Sequence, residues 1–215
     1  NTMAVMASTL GISVFTSAST PAMDVDHTTV MAAKLAEGEE AADTLVREIE
    51  TGRTLGDVVD ERSFANAAIM LHAIGGSTNA VIHLPAIAEG FDIAFGLGDI
   101  RAKSDTPVLL NLMPTGKYVM VDLYEQAGGL PPLARYMIDV GLLDPTARTV
   151  AGKSLGELLE GVDAPQFADP ENEVIRSVES PVKSQSSLCI VCGDQSTDAV
   201  TSIAPSGSVF KLSTK

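Results

Sequence analysis

The chain has 215 residues, of which 45% are hydrophobic and 20% charged, and its formal net charge is −14. This composition is typical of a globular protein with a sizeable core, and it excludes an intrinsically disordered chain. With 14 basic against 28 acidic residues, the chain lacks the basic surface that nucleic acids and anionic membranes attract, so we expect neither as a partner.

The first half of the sequence is predicted to be mainly helical. Thr2–Leu10 is rich in Ala, Met and Leu, and Asp26–Glu50 repeats apolar residues at helical spacing. Gly38 is predicted to divide the second segment into two helices and Gly52 to end the second of them, because glycine disfavours a helix interior. Three more helices are predicted downstream, with Thr54 and Ser63 as N-caps of the first two: 54–59, 64–74 and 80–89.

The second half mixes helical and β-type segments. Pro107–Leu112 is a short apolar run between turn-forming residues and predicts a strand, as does Thr149–Val150. Helices are predicted over 118–126, 132–140 and 154–159, the last one capped by Ser154. The Pro-rich, acidic segment 163–172 is typical of a linker, and four short β-type runs follow it: Val174–Arg176, Leu188–Cys192, Ala199–Ile203 and Ser208–Leu212.

The change in sequence character near Glu173 predicts a domain boundary within an α/β protein. Residues 1–172 are expected to form helices around a short, mainly buried sheet. Residues 173–215 are expected to form strands without a helix. Because the sequence starts with Asn1 in the middle of helical sequence, we expect the chain to be part of a longer protein.

Cysteine content and apolar runs give an expectation about the cellular compartment. Two cysteines are too few for a disulfide framework, which favours a reducing, intracellular location. No apolar run approaches the roughly 20 residues that a membrane helix needs. The first residues also carry no basic region of the kind that begins a secretory signal.

The strongest local signal for a binding site is Gly75-Gly-Ser-Thr-Asn79, between two predicted helices. Glycines allow a backbone to approach a ligand closely, and Ser77, Thr78 and Asn79 offer two hydroxyls and an amide. Their N–H groups lie at a helix N-terminus, which favours anions such as carboxylate or phosphate. The structural alternative is a corner between two helices in which Ser77 or Thr78 is an ordinary N-cap.

Two other groups have only some of the features of a metal site. Asp24, Asp26 and His27 combine carboxylates with an imidazole, but acidic residues before a helix also complement its dipole. His72 and His83 lie on different predicted helices, and a single His on an apolar helix is usually structural. The sequence leaves open whether the two histidines meet.

Cys189 and Cys192 have the spacing of a redox or metal-binding pair. Both lie in a predicted strand, where residues i and i+3 point to opposite faces. A thioredoxin-type motif would begin a helix instead, and no second pair is present to complete a zinc site. We therefore expect two unrelated thiols.

Short blocks in a fixed order cover nearly the whole chain. The longest is Gly75–Ala88, and the others are Asn1–Met3, Pro21–Asp24, Arg62–Ala67, Pro114–Met120, Asp122–Leu123, Ala127–Pro131, Gly141–Leu143, Thr149–Leu155 and Val174–Arg176. In this order they resemble the dihydroxy-acid dehydratase family, whose wider group includes 6-phosphogluconate dehydratase and sugar-acid dehydratases. One block alone is weak, but the common order is specific.

The resemblance implies a hydro-lyase that removes water from a 2,3-dihydroxy carboxylic acid and yields a 2-oxo acid. Such an enzyme would act in branched-chain amino-acid biosynthesis or in sugar-acid catabolism. The family uses an iron–sulfur cluster as Lewis acid and Mg²⁺ to help hold the substrate, so both cofactors are implied. A cationic iron can polarise the leaving 3-hydroxyl while a base removes the C2 proton.

The resemblance also implies an architecture, an α/β domain followed by a β-barrel-like domain, with the active site between them. Residues 1–172 would be the later part of the first domain, and residues 173–215 the beginning of the second. In the family the cluster cysteines and most magnesium ligands precede the block at Asn1–Met3, and the catalytic serine lies far downstream. We therefore expect the main cofactor ligands outside this chain, which alone should be inactive.

Three positions depart from the family pattern. The usual Glu before Ala-Leu-Gly is Ser8, the Met-Glu-Asp-Leu block has Val121 in place of its Glu, and the loop at Gly96–Gly98 is atypical. These departures leave a second possibility, a non-catalytic remnant or interaction module that keeps the fold.

For the enzyme, Ser77, Thr78 and Asn79 are our candidates for backbone and side-chain donors that face the substrate or its metal. We assign no catalytic residue or metal ligand within this chain. A small hydroxy acid is the expected partner. A homodimer is expected for the complete enzyme, in the cytoplasm or, in a eukaryote, in an organelle matrix.

Overall fold

A computed structural model describes residues 1–23, 28–164, 167, 169, 171–192, 198–203 and 209–213. The protein forms two compact units. The first unit comprises Asn1, Met3–Asn66 and Met120–Ala164, and the second comprises Thr2, Ala67–Val119 and Pro165–Lys215. No helix in the described part of the chain is long and apolar enough to cross a membrane.

The first unit is built from helices. They are α1 (Thr2–Thr9), a 3-10 turn (Phe15–Ala18), α2 (Ala32–Thr51), a second 3-10 turn (Leu55–Asp57), the first residues of α3 (Glu61–Ala73), α6 (Met120–Ala127), α7 (Leu130–Asp139) and α8 (Leu155–Leu158). Fully or nearly fully buried side chains form its core, among them Val5, Met6, Leu10, Phe64, Leu123, Leu130, Leu133 and Met137.

The second unit combines helices with a small sheet. It contains the remainder of α3, α4 (Asn79–Glu89), α5 (Leu97–Arg101) and the strands β1 (Leu188–Cys192), β2 (Asp198–Ile203) and β3 (Val209–Ser213). Its core includes Met70, Leu71, Leu84, Ile100, Leu109, Leu110 and Ile175. The segment after Pro107 is hydrogen-bonded to the end of α3: the N–H of Leu109 donates to the carbonyl oxygen of Ala73 at 2.7 Å.

The three strands form an antiparallel sheet in the order β1-β2-β3. Ile190 lies opposite Val200, and Thr201 lies opposite Lys211. Three of the four predicted β-type runs are therefore confirmed as strands. The fourth, Val174–Arg176, makes only a single bridge, between Ile175 and Leu110.

The expectation of a short buried sheet within residues 1–172 is wrong for the described residues. Pro107–Leu112 contains isolated bridges rather than a strand, and Thr149–Val150 enters a turn that the N–H of Gly152 closes on the carbonyl oxygen of Thr149 at 3.1 Å. Val108 and Leu110 each make one isolated bridge, to Lys183 and Ile175. The N–H of Leu109, which lies between them, donates to the carbonyl oxygen of Ala73 at the end of α3. This N–H is therefore not available to extend a bridge into a ladder.

The predicted break at Gly38 is also wrong. α2 runs unbroken from Ala32 to Thr51, and Gly52 ends it in the left-handed conformation (φ 69°), as predicted. Glycine in a helix interior costs about 1 kcal/mol relative to alanine, which tertiary contacts can offset. α3 begins three residues earlier than predicted, because Asp60 and not Ser63 caps it. The Asp60 carboxylate accepts from the backbone N–H of Ser63 at 3.1 Å.

Candidate functional site

Two glycines make the corner between α3 and α4. The N–H of Gly75 donates to the carbonyl oxygen of His72 at 3.1 Å, and the N–H of Gly76 donates to that of Leu71 at 2.9 Å. Gly75 adopts a left-handed backbone (φ 60°), which a residue without Cβ accepts at no steric cost. The corner is thus a regular helix end that redirects the chain into α4.

Protein atoms occupy the space beside both glycines. A Cβ at Gly75 would collide with the hydroxyl of Thr115, which donates to the Gly75 carbonyl oxygen at 3.1 Å. A Cβ at Gly76 would meet Leu71 Cδ1 at 2.6 Å and Thr2 Cγ2 at 2.9 Å. The sequence interpretation, in which the glycines let a ligand approach the backbone, does not hold at these two positions. The glycines are required by packing within the unit.

The three predicted binding residues follow directly. The N–H of Ser77 donates to the hydroxyl of Thr2 at 3.1 Å, and the hydroxyl of Ser77 accepts from the N–H of Asn79 at 3.3 Å. Ser77 and Thr78 are half-buried, whereas Asn79 is exposed. Thr78 is the N-cap of α4 but makes no side-chain cap hydrogen bond. The structural alternative, an ordinary N-cap side chain, therefore applies in part to Ser77 and does not apply to Thr78.

The donors that remain at the corner are those of Thr78 and Asn79. Within the described part of the chain, neither the Thr78 hydroxyl nor the Asn79 amide has a hydrogen-bond partner. Both lie at the first turn of an eleven-residue helix, where the macrodipole is positive. A hydroxyl, an amide and a helix N-terminus together suit a small anion such as a carboxylate.

Thr2 brings a second sequence block to the corner. It is the first residue of α1; its hydroxyl accepts from the N–H of Ser77, and its methyl group lies 2.9 Å from the place that a Cβ of Gly76 would take. One residue of the block Asn1–Met3, Thr2, therefore contacts the block Gly75–Ala88 within the second unit. The sequence analysis named no residue of Asn1–Met3 as a site residue. The only sequence signal for this contact was that Asn1–Met3 is one of the ordered blocks.

A loop of another sequence block, Pro114–Met120, contacts the corner through Thr115. Thr115 belongs to Pro114–Met120, and the next residues of that loop hold Glu173. Lys117 Nζ lies 3.2 Å from Glu173 Oε2, and the Tyr118 hydroxyl donates to the same oxygen. The hydrogen bond from Tyr118, followed by that from Lys117, holds the pKa of the Glu173 carboxyl below its usual range. This exposed cluster fixes the loop that carries Thr115.

The two histidines have different environments. His72 is buried: Nε2 donates to the Ile100 carbonyl oxygen at 2.8 Å, so Nδ1 accepts from the Ser186 hydroxyl at 2.5 Å. Burial lowers the pKa of His72, which keeps the ring neutral, so the expectation of a satisfied structural histidine is confirmed. His83 is exposed on α4. The structure gives neither ring a ligand-binding arrangement.

Buried hydroxyls beside Gly75 were missed by the sequence analysis. Ser187 Oγ lies 3.4 Å from the place of a Gly75 Cβ, and among the described residues it is buried without a hydrogen-bond partner. Its neighbour Ser186 binds His72. Serines just before a strand carry no pattern that distinguishes them from surface serines, so no sequence signal was available.

Of the remaining metal-like groups considered from the sequence, the structure describes only the two cysteines. Asp24, Asp26 and His27 lie outside the described residues. Cys189 lies in β1 and is free and exposed, and Cys192 ends the same strand. Across the part of the chain that the structure describes, no three His, Cys, Asp or Glu side chains are close enough to hold a metal ion.

The sequence analysis also did not identify the buried carboxylate of Glu37 in the first unit. Glu37 accepts hydrogen bonds from the hydroxyls of Thr16 at 2.6 Å and Thr20 at 2.5 Å, and Lys34 Nζ lies 2.8 Å from its other oxygen. Burial alone would raise the pKa of the Glu37 carboxyl, but these hydrogen bonds outweigh it and lower the pKa. Both carboxylate oxygens are engaged by groups of the same unit, so the group is structural.

Comparison with known proteins gives a family match over most of the chain. A model of the family described as "Dihydroxy-acid/6-phosphogluconate dehydratase N-terminal" matches residues 1–158. The matched region includes Thr2 and the whole of the corner.

Similar proteins cover the chain from end to end. A dihydroxy-acid dehydratase of Francisella tularensis subsp. novicida is 36% identical over 100% of this chain and 35% of its own length. The mitochondrial dihydroxy-acid dehydratase astD of Aspergillus terreus is 39% identical over 100% of this chain and 33% of its own length. The chloroplastic dihydroxy-acid dehydratase of Arabidopsis thaliana is 36% identical over 100% and 32%. The chain spans about a third of the length of these curated relatives.

Proposed function

We propose, because the chain belongs to the dihydroxy-acid/6-phosphogluconate dehydratase family, that it is part of a hydro-lyase that converts a 2,3-dihydroxy carboxylic acid into a 2-oxo acid. The resemblance of the sequence blocks to this family is confirmed. In the reaction, the C2 proton and the C3 hydroxyl leave as water, and the resulting enol becomes the 2-oxo acid. The activity is proposed for the complete protein, and the 215 residues alone are expected to be inactive.

The corner at the start of α4 is our candidate for the substrate contact in this chain. One observation carries this assignment: Thr78 and Asn79 keep a hydroxyl and an amide without partners among the described residues, at a helix N-terminus. A 2,3-dihydroxy acid presents a carboxylate and two hydroxyls, which such donors and acceptors can bind. Ser77 is proposed to orient this turn, because its hydroxyl and N–H already bind Asn79 and Thr2.

An iron–sulfur cluster and Mg²⁺ are proposed for the complete protein on family grounds alone. The described residues of this chain do not fit either group, because no three ligating side chains come together. The corner itself offers a hydroxyl, an amide and N–H groups, which are not the thiolate ligands of a cluster. We therefore place no cofactor on this chain and derive no step through one.

We further propose how the chain relates to the domains of the complete protein. Residues 1–172 would form the later part of the α/β domain, and residues 173–215 the beginning of a β-barrel-like domain. The antiparallel order β1-β2-β3 is compatible with such a beginning. On family grounds we also propose a homodimer that acts in branched-chain amino-acid biosynthesis or sugar-acid catabolism, in the cytoplasm or in an organelle matrix.

The test uses the complete open reading frame that encodes this chain. The purified protein, reconstituted anaerobically with iron and sulfide, would be assayed for 2-oxo acid formation from a branched 2,3-dihydroxy acid and from 6-phosphogluconate. We expect turnover of at least one of the two. Stoichiometric iron and sulfide without turnover of either acid would contradict the proposal.

A non-catalytic member of the family is the second candidate, and two positions favour it. Ser8, which stands in place of the family's Glu, is buried and shares a hydrogen bond with Ser13 at 3.2 Å between the hydroxyl oxygens. Val121 likewise presents an apolar side chain, 43% exposed, where the family pattern has a Glu. A complete protein that folds but neither binds a cluster nor turns over substrate would support this candidate.

A further inference from the structure

The peptide group between Gly75 and Gly76 is held at both ends. The N–H of Gly76 donates to the carbonyl oxygen of Leu71 at 2.9 Å, and the carbonyl oxygen of Gly75 accepts from the hydroxyl of Thr115 at 3.1 Å. Because a peptide group is planar, two hydrogen bonds on opposite sides of it fix its rotation. The direction in which the chain leaves the corner and enters α4 therefore depends on both bonds.

The hydrogen bond from Thr115 is made in the interior. Thr115 is 3% exposed, and Gly75 is buried. The last carbonyl groups of a helix have no partner within it, and at this helix end the carbonyl oxygen of Ala73 accepts from a backbone N–H, that of Leu109. The Gly75 carbonyl oxygen accepts from a side chain instead, and no second donor among the described residues bonds to it. Loss of the Thr115 hydroxyl would leave this buried acceptor unsatisfied, which is costly.

The loop around Thr115 fixes the position of its hydroxyl. The N–H of Gly116 donates to the carbonyl oxygen of Leu112 at 2.7 Å, and the side-chain oxygen of Asn111 accepts from the N–H of Lys117 at 3.1 Å. A Cβ at Gly116 would come within 2.2 Å of the carbonyl carbon of Asn111, so the turn has no room for a side chain there. A closed, tightly packed turn therefore presents the hydroxyl to the corner.

Most backbone N–H groups between positions 75 and 81 are already used by the protein. The N–H of Ser77 donates to the hydroxyl of Thr2 at 3.1 Å, and the N–H of Asn79 donates to the hydroxyl of Ser77 at 3.3 Å. The N–H groups of positions 75, 76, 80 and 81 donate to backbone carbonyl oxygens. Among the described residues, the N–H of Thr78 has no partner, and it belongs to the residue with the free hydroxyl. Thr78 thus carries two available donors just after the peptide group that Thr115 holds.

We propose that Thr115 is a positioning residue for the substrate contact at Thr78. Its hydroxyl holds the Gly75–Gly76 peptide group, and that peptide group sets the direction in which the N–H and the hydroxyl of Thr78 point. Thr115 itself would not contact the substrate, because it is buried and donates to Gly75. The proposal rests on the substrate contact proposed for Thr78 and Asn79. A misplacement of about 1 Å within a site can cost roughly 100-fold in rate, so a residue that only orients a donor can be required for turnover.

The first measurement is independent of activity and uses the complete protein. Thr115→Val keeps the side-chain shape and removes the hydroxyl. Hydrogen exchange of peptides that span positions 75–81, followed by mass spectrometry, should become roughly tenfold faster, because the corner loses one of the hydrogen bonds that fix it. Exchange of peptides from the first turns of α3 should not change. Equal exchange of the 75–81 peptides in the variant and the wild type would overturn the proposal.

Two variants serve as matched controls for the exchange measurement. Thr149→Val removes a buried hydroxyl that also donates to a backbone carbonyl oxygen, that of Lys153 at 2.8 Å, but in the first unit. Ser187→Ala removes the other buried hydroxyl beside Gly75, which has no hydrogen-bond partner among the described residues. Neither control should alter exchange at positions 75–81. An equal increase there in either control would show that the effect is not specific to Thr115, and would overturn the proposal.

The second measurement is the steady-state kinetics of the complete enzyme with the dihydroxy acid that it turns over. Thr115→Val should lower kcat/KM by about 10- to 100-fold, and Thr115→Ser, which keeps the hydroxyl, should restore it to within about threefold of the wild type. Thr149→Val should leave kcat/KM unchanged. A Thr115→Val enzyme with a lowered melting temperature but an unchanged kcat/KM would make Thr115 purely structural. If the valine variant does not fold, Thr115→Ala, which also lacks the hydroxyl, replaces it in both measurements.

A double-mutant cycle shows whether Thr115 acts through Thr78. In a Thr78→Val background, Thr115→Val should lower kcat/KM several-fold less than in the wild-type background, because one of the donors that Thr115 directs is already gone. Losses that simply multiply would overturn the proposal. A wild-type enzyme that turns over neither acid would contradict the proposed function, whereas the exchange measurement would still decide whether Thr115 holds the corner.

Discussion

α2 and α3 are both amphipathic helices, yet they meet the rest of the protein in opposite ways. α3 buries a continuous apolar surface that includes Phe64, Met70 and Leu71, all fully inaccessible. α2 buries a glutamate and exposes its leucines, valine and isoleucine. The contrast shows that apolar periodicity alone does not fix which side of a helix faces its unit, because the buried side of α2 is the one whose carboxylate binds Thr16 and Thr20.

The buried partners of each helix explain the difference. The 3-10 turn Phe15–Ala18 and Thr20 after it present hydroxyls to α2, and these need a carboxylate rather than an apolar side chain. Next to α3, by contrast, the buried surface contains Ile100, Leu109 and Leu110. An exposed apolar stripe on one helix therefore coexists with a fully packed helix in the same chain.

Two alanine substitutions, one in each helix, test this contrast most directly. Leu71→Ala removes a fully buried side chain of α3 and should lower the free energy of unfolding by roughly 2–5 kcal/mol. Leu45→Ala removes a 61% exposed side chain of α2 and should change it by less than about 0.5 kcal/mol. Urea unfolding of both variants measures the two values. Similar losses would mean that α2 is packed in solution.

The corner at the end of α3 gives the second test, in the complete enzyme. Thr78→Val keeps the side-chain shape and removes the free hydroxyl. If that hydroxyl binds the substrate, turnover should fall by roughly 10²–10³, as for other single donors in a dry site. Steady-state kinetics and thermal melting of the same protein measure both consequences.

The matched control for that test is Thr54→Val. The Thr54 hydroxyl lies 2.8 Å from the Asp57 carboxylate in the cap of the second 3-10 turn, so its loss should cost about 1 kcal/mol of stability and leave turnover unchanged. Thr78→Val with normal turnover and a lowered melting temperature would make Thr78 a structural cap and remove it from the site.

The glycines of the two helices provide the third comparison. Gly75→Ala places a Cβ on a left-handed residue and against the buried Thr115, and should cost about 2–4 kcal/mol of stability. Gly38→Ala meets open space in α2 and should stabilise the folded chain by about 0.5–1 kcal/mol. Thermal melting at low concentration measures both. A stabilising effect at Gly75 would show that the corner is looser than its hydrogen bonds indicate.

The fold was predictable where the signal was local. Gly52 ended α2 and Ser154 capped α8 as predicted, because each effect involves neighbours in sequence. The run after Pro107 was predicted to be a strand, but the carbonyl oxygen of Ala73, at the end of α3, accepts from the N–H of Leu109. A residue 36 positions away decides that hydrogen bond, and apolar periodicity contains no information about it.

The candidate site was predictable only in its outline. Gly75–Asn79 indicated a turn at a helix N-terminus, and the structure places one there. The partners that fix it, Thr2 and Thr115, are distant in sequence and belong to residue types that are common on surfaces. Which donors stay free could not be predicted, because that depends on which others are already engaged.

The smallest expected effect concerns the polar anchor of α2 and its pH dependence. Because hydrogen bonds from Lys34, Thr16 and Thr20 outweigh burial and lower the pKa of Glu37, the ionised carboxylate stabilises the folded chain. A lowered pKa means that this stabilisation is fully present above the usual value near 4.5, and that it is lost as the pH falls through the lower folded-state pKa. Glu37→Gln should therefore cost about 1 kcal/mol near neutral pH, and the difference from the wild type should shrink below pH 4.5.

Urea unfolding across this pH range measures the difference in the free energy of unfolding. The control is Glu39→Gln, which alters an exposed carboxyl of the same helix and should differ from the wild type by less than about 0.5 kcal/mol throughout. A Glu37→Gln difference that grows as the pH falls would mean that the neutral acid is the better partner for the two threonines, and that α2 is not anchored by charge.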